Sequence, residues 1–277
     1  MFNIIKSDLY RILRGKAIYI AFLVMVVMSG LSMYELSPGY LGASSAGLEQ
    51  INEDALEDVY RLGGELSLSE IRKIYEKHPY EFDKEFLAAN ANLYYIFIVM
   101  VAIIIAADFS KRTIKNTVSS AVSRKKYYYS KLICCILICS IFVLINNYGT
   151  YFVNKLVNGE NFSSSLGTIT RVTLYQLPIM YGIISLLVCV SVVVKKGSAF
   201  NAISIPLLMA FQLLITLFLR VLKMKATILN YEYQTALGKL ARNPENDYIV
   251  KCVLLGIFYI VIFNIIGYYS FKRAEIK

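Results

Sequence analysis

The sequence predicts an all-α membrane protein with six transmembrane helices. It adds an amphipathic helix before the first span and a helical loop between the first and second. Three observations carry this. Hydrophobic residues make up 57% of the 277 and charged residues 17%, against roughly 45–50% and 25% in an average soluble domain. The mean hydropathy is +0.55, more apolar surface than a soluble chain of this size hides in one core. The uncharged residues also fall in long blocks, each bounded by charges, rather than in short periodic runs.

Those blocks give the spans: 17–34, 86–107, 132–154, 172–194, 197–219 and 252–271. Each is long enough to cross about 30 Å of hydrocarbon at 1.5 Å per residue. The whole chain, 1–277, reads as one transmembrane domain. The first block is too long for a cleaved signal peptide, and no small-residue cleavage site precedes Glu35.

Orientation follows from Lys and Arg. With both termini on one side, that side carries sixteen basic and three acidic residues, while the opposite side carries thirteen basic and sixteen acidic. Both termini are expected in the cytoplasm. The formal charge of +10 is then a topology signal, aided by anionic lipid headgroups, and needs no nucleic acid to explain it.

The segments between spans follow. Phe2, Ile5, Leu9, Ile12 and Leu13 share one helical face and Ser7, Asp8, Arg11 and Arg14 the other, a pattern for a helix lying in the headgroup region. In loop 35–85, Leu48, Ile51, Ala55, Val59 and Leu62 form a helical face that Gly63-Gly64 ends. Ser67 with Glu70 makes a capping box before a second helix that His78-Pro79 closes. This loop holds twelve of the nineteen acids, read either as solvated helix faces or as a feature that meets cationic ligands. The third outward loop, 220–251, sets Tyr231, Tyr233, Leu237 and Leu240 among mixed charges that argue against deep burial. Cys134, Cys135, Cys139, Cys189 and Cys252 all lie in or beside spans. They read as small hydrophobes rather than disulfides or metal ligands, and His78 is the only histidine.

The cytoplasmic link 108–131 places Ile114, Val118 and Ala121/Val122 every three to four residues, followed by a basic tail. Spacing alone leaves two readings: a short helix that docks in a groove of a cytoplasmic partner, or a basic topogenic loop. Here the residues carry a resemblance. Asp108-Phe109, Thr113-Ile114-Lys115-Asn116 and Ser123-Arg124-Lys125-Lys126-Tyr127 resemble the cytoplasmic loop of ABC-2-type exporter permeases. Residues 3–16, with Lys6-Ser7-Asp8-Leu9-Tyr10-Arg11, are similar to that family's start. Arg112 and Ala121 stand where these loops often have glycine.

The resemblance implies the membrane-spanning half of an ATP-driven exporter. Residues 1–16 would be its elbow helix and 108–131 its coupling loop, seated on a cytoplasmic ABC ATPase subunit. Thr113, Ile114, Asn116, Thr117, Val118 and Arg124 are the implied ATPase contacts. ATP and Mg would sit on the partner ATPase, none on this chain, and a second permease half, identical or not, would complete the pathway. The resemblance also points to a bacterial cytoplasmic membrane and to export of, or resistance to, antimicrobial or other amphipathic peptides. Lipid-like molecules, drugs and ions are the alternative cargoes.

Missing residue types narrow the class independently. No Gly-x-x-x-x-Gly-Lys-Ser/Thr stretch occurs to cradle ATP phosphates, so the chain is not expected to be an enzyme. No predicted span contains Asp, Glu, Lys, Arg or His, which weighs against proton-coupled carriers and intramembrane metalloproteases. A scaffold or sensor that uses the same basic loop without transport is the rival from another class, and a sodium-coupled carrier is third. The spans do hold polar residues: Asn146, Asn147, Thr150, Gln176, Asn201, Gln212 and Asn264. These read as pathway lining or as interhelical glue, the commoner use of buried amides. Tyrosines at span ends, such as Tyr34 and Tyr268, are interfacial anchors.

Overall fold

The computed structural model describes residues 2–35, 82–110, 113–114, 122–158, 164–210, 217, 221, 230–242 and 244–273, and among these all regular structure is helical. Helix α1 is Phe2–Arg14 and α2 is Lys16–Glu35. A continuous helical run from Phe82 to Ser110 changes winding four times: α3 (Phe82–Ala88), a 3₁₀ segment (Ala89–Leu93), α4 (Tyr94–Val101), a π segment (Ala102–Ala106) and α5 (Ala107–Ser110). Then come α6 (Arg124–Asn158), α7 (Leu166–Val194), α8 (Gly197–Met209), α9 (Tyr233–Ala241) and α10 (Asn246–Arg273).

Four helices, α2, α6, α7 and α10, are long and apolar enough to cross a membrane, and Tyr94–Ser110 and Gly197–Met209 are shorter apolar helices. The predicted blocks thus locate the elements, but their limits shift. Helix α6 begins eight residues before the predicted span because Ser123 caps it, its Oγ accepting from the Lys126 N–H at 3.3 Å. The basic tail expected in the loop is therefore the first turns of a 35-residue helix, about 52 Å long at 1.5 Å per residue. Helix α7 starts early for the same reason: Ser165 Oγ accepts from the Thr168 N–H at 3.1 Å. The first outward loop's expected helices and positions 211–216 of the fifth predicted span lie outside the described residues.

Helices α6 and α7 form the centre, with 56% and 61% of their apolar windows buried, against 11% for α2 and 17% for α10. The latter two present their remaining apolar side chains outward, as lipid-facing helices do. Helices α7 and α10 touch backbone to backbone: a Cβ at Gly256 would lie 2.5 Å from the Pro178 carbonyl carbon. Gly182 faces Tyr259 in the same seam, and Gly267 lies against the Cys189 backbone of α7 and Tyr128 of α6. Small residues that admit close approach substitute for a hydrophobic driving force inside a bilayer.

At the end remote from the chain termini, α9 is buried along Tyr233, Ala236, Leu237, Leu240 and Ala241. The mixed charges of loop 220–251, which argue against deep burial, do not keep this helix from being buried. The charges sit at its ends, where they have partners. Glu232 accepts from the Thr235 N–H at 3.0 Å, and Arg242 forks onto the Glu85 carboxylate through Nε at 2.8 Å and Nη2 at 2.5 Å. Asp83 accepts from Asn154 at 2.9 Å and from the Ser164 N–H at 2.6 Å, tying α3 to the end of α6 and the start of α7. All five cysteines are buried free thiols.

Candidate functional site

Two polar centres are built between the helices. The first joins α1, α5 and the start of α6. The Lys131 Nζ lies 2.7 Å from Asp8 Oδ1 and 2.6 Å from Asp108 Oδ2, and the Arg11 guanidinium lies 3.2 Å from Asp8 Oδ1 and 2.5 Å from Asp108 Oδ1. The Tyr127 hydroxyl donates to Asp108 Oδ2 at 2.8 Å. Two carboxylates thus face two cations in a neutral set. Asp8 is 6% exposed, Asp108 3% and Lys131 3%. Burial alone would raise the Asp108 carboxyl, but the Lys131 ammonium and the Arg11 guanidinium outweigh it and hold it below the ordinary carboxylate range. Burial works to lower the Arg11 guanidinium, and its bond to Asp108 overrides this and raises it.

Asp8 and Arg11 were expected on the solvated face of the first helix. Asp8 instead faces inward with Ile12, while Phe2, Tyr10 and Leu13 stay exposed. Partners 97 and 123 residues away in sequence dictate that rotation, and no local pattern reveals them. The π segment supplies a further acceptor: Arg11 Nη2 donates to the Ile104 carbonyl at 3.4 Å. Loosened carbonyls of this kind are what π-bulges offer.

This centre stands at the entrance of the link 108–131. Thr113 Oγ1 donates to the Asp108 carbonyl at 3.3 Å, and Ile114 is 2% exposed, packed in the chain's own core. Ile114 therefore points into the chain's own core rather than outward as an apolar knob. Arg124 donates to the carbonyls of Phe271 (3.4 Å) and Lys272 (2.5 Å), the orphan carbonyls at the end of α10. Asn116, Thr117 and Val118 lie outside the described residues.

The second centre lies inside the span bundle and carries no charge. Asn90 donates to Gln176 Oε1 at 3.0 Å, and Asn146 donates to Asn90 Oδ1 at 3.3 Å. Ser29 Oγ donates to Asn146 Oδ1 at 2.5 Å, and Asn147 donates to Thr173 Oγ1 at 3.0 Å. Gln176 Nε2 donates to the carbonyls of Leu87 and Leu237, each at 2.9 Å. This network connects α2, α3, the 3₁₀ segment, α6, α7 and α9.

Of the seven polar span residues, Asn146, Asn147 and Gln176 meet here. Thr150 instead donates to the Asn146 carbonyl of its own helix at 2.6 Å. Asn264 belongs elsewhere, accepting from the Tyr128 hydroxyl at 3.1 Å and donating to Ser185 Oγ at 3.1 Å. Asn201 is exposed on α8, and Gln212 lies outside the described residues. Sequence reasoning passed over Ser29, Asn90 and Thr173, although Ser29 and Asn90 stand in uncharged blocks as plainly as Asn146 does.

Among the described residues no cluster of His, Cys, Asp or Glu has a metal-binding arrangement. Every feature described so far belongs to a class: a multi-pass, all-helical membrane protein whose polar centres join helices and whose basic link sits at one end. Within that class, a family model described as ABC-2 family transporter protein matches residues 2–276, and the chain belongs to that family. No curated protein matches it. Family membership makes the chain the permease subunit of an ABC transporter, a membrane component that works with ABC ATPase partners.

Proposed function

We propose that this chain is one six-span half of an ATP-driven exporter in a bacterial cytoplasmic membrane, with both termini in the cytoplasm. In this reading α1 is the elbow helix, the helical run Phe82–Ser110 contains the second span, 86–107, and α8 opens the fifth. The link 108–131 couples the ATPase, which carries ATP and Mg, to the spans. A second permease half completes the pathway, and amphipathic peptides, including antimicrobial ones, are the cargo class.

The observation that carries the coupling reading is the four-charge centre. It binds the base of the link at Asp108 to the elbow helix and to the first turns of α6. A push on the link is therefore transmitted to two spans and α1 together, as rigid-body motion requires. Ile114 anchors the link to the permease core, while Asn116, Thr117 and Val118 make the ATPase contacts. The test is a pull-down of the tagged chain from its native membrane, comparing wild type with Asn116→Ala/Val118→Asp. The ATPase should co-purify in roughly stoichiometric amount with wild type and be lost from the variant while membrane insertion persists. A full ATPase yield with the variant would overturn the assignment, and an ATPase missing even from wild type would favour the scaffold reading.

A further inference from the structure

Helix α2 buries little, yet one of its faces borders two cavities end to end. Ala17, Ala21, Val24, Met28 and Ser32 recur every three to four residues, so they share that face. Toward the terminal end, a cavity of about 500 Å³ runs between α2, the second span and α8. Ala17, Ala21 and Val24 form one wall, Val99 and Ala107 the opposite one, and Asn201 flanks them. Toward the remote end, a cleft of about 250 Å³ is bordered by Met28, Ser29, Ser32, Asn90, Asn92 and Asn146. Tyr95 borders both cavities and marks where they meet.

The two halves differ in chemistry. The first is walled almost wholly by aliphatic side chains, and from Tyr95 to Ala107 it follows the helix for about 18 Å, more than half of a ~30 Å hydrocarbon core. The second sets hydroxyls and carboxamides among Met28, Phe86, Ala89 and Leu93 and has no charged group. Its volume equals about eight waters at ~30 Å³ each, room for one sugar ring or a short peptide segment. Together the two fall within the roughly 300–1,000 Å³ of small-molecule sites.

We propose that the seam between α2 and the second span is a binding track for an amphiphile with an extended apolar chain and an uncharged polar head. The chain lies in the aliphatic groove and the head in the amide-bordered cleft. An ionic head would enter a cleft with no counter-ion, at a desolvation cost, whereas hydroxyl or amide heads find donors and acceptors in Asn92 and Ser32 at its rim. The track deepens the exporter reading by naming its cargo chemistry. It rests on that reading only for the direction of movement. Of the seven polar span residues, Asn146 and Asn201 border this track.

The experiment is photolabelling of the intact complex in phosphatidylglycerol/phosphatidylethanolamine nanodiscs, with peptides mapped by mass spectrometry. The probes are a decyl glucoside carrying a diazirine on its chain and the same chain ending in sulfate. The glucoside should label 17–24 and 96–107 at least fivefold more than the sulfate does. Ala17→Phe/Val24→Phe, which fills the groove from two exposed positions, should cut that labelling at least fivefold. Ser32→Leu/Asn92→Leu, at the cleft rim, should abolish the preference for the glucoside.

Equal labelling by both probes would overturn the inference. So would label spread evenly around α2 onto the opposite face of Tyr19 and Val26. Cross-linking of Ala21→Cys between two copies, with the groove shielded from probe, would assign the seam to a second permease instead. Labelling needs no ATP hydrolysis, so its failure falls on the track alone, while loss of ATPase from the pull-down falls on the coupling reading.

Discussion

The charged centre at the base of the link and the amide network within the bundle are both buried and both join distant segments, yet they solve different problems. The amide network is close to saturated: Gln176 uses its oxygen and, twice, its nitrogen, and Asn146 both donates and accepts. Such interhelical bonds stabilise modestly, about 0.6 kcal/mol on average and up to ~1.7, because a helix separated in lipid finds other partners. The charged centre combines full charges with an incomplete set of bonds, since Asp8 Oδ2 is buried without a hydrogen-bond partner. Buried ion pairs gain little over an apolar replacement but are costly to break singly, at roughly 3–5 kcal/mol. One centre is glue. The other has a steep response to losing any member, which suits a junction whose geometry must be right or absent.

The largest effect that would test this contrast comes from Lys131→Met. It leaves the Asp8 and Asp108 carboxylates sharing Arg11 alone, and a loss of about 3–5 kcal/mol is expected in unfolding of the purified chain in nanodiscs. Adding Asp108→Asn to that variant should return a good part of the loss, because the charge count balances again. A single variant costing under about 1 kcal/mol would reduce the charged centre to the same rank as the amides.

Next in size is Gln176→Leu, which strands the Leu87 and Leu237 carbonyls and the Asn90 amide, and should cost about 1–2 kcal/mol. A loss equal to that of Lys131→Met would erase the distinction between the two centres. Thr173→Val removes a single acceptor from Asn147 and should cost about 0.6 kcal/mol, the smallest of the three.

Titration sharpens the same comparison. The Asp108 carboxyl is held below its ordinary range, so its stabilisation is complete above the unfolded value near pH ~4 and is lost as pH falls through its lower folded value. Stability measured between pH 8 and 2 should therefore show an acid limb below about pH 4, diminished in Asp108→Asn and unchanged in Gln176→Leu. An acid limb of equal size in Asp108→Asn would place the responsible carboxylate elsewhere.

The architecture was legible where it depended on composition over twenty residues at a time. Every predicted block contains or overlaps an observed apolar helix, because a bilayer demands uninterrupted apolar length and that demand is written in consecutive residues. What was not legible depended on pairs. Lys131 bounded a predicted span because a lone lysine reads as an exit from the membrane. It lies inside α6 because Asp8 and Asp108 arrive from elsewhere to neutralise it. The spacing of Ile114, Val118 and Ala121/Val122 left a docking helix and a topogenic loop open, and spacing does not say which side the rest of the protein occupies. The amide network was half visible: uncharged blocks exposed Asn146, Asn147 and Gln176 as exceptions, but which of them converge is a matter of helix rotation. Caps explain the displaced boundaries, since Ser123 and Ser165 are ordinary start signals that charge-bounded spans overrode.

The π segment Ala102–Ala106 gives the charged centre a second meaning. A π turn takes up about one residue more than an α turn, so it acts as a stored offset in an otherwise α-helical rod. Rewinding it as α-helix would turn everything beyond it by about 100°, one residue's step, and would carry Asp108 away from Lys131. The ion pairs and the winding of the Phe82–Ser110 run are thus one setting rather than two. Deleting Ile103 should therefore be tolerated, since the segment can rewind as α-helix with Asp108 still at Lys131, whereas deleting a residue from the regular turns of α4 should turn Asp108 away and injure assembly as severely as losing Lys131. The helical run Phe82–Ser110 carries a ratchet tooth beside the charged centre, and the four charges are the pawl that holds it.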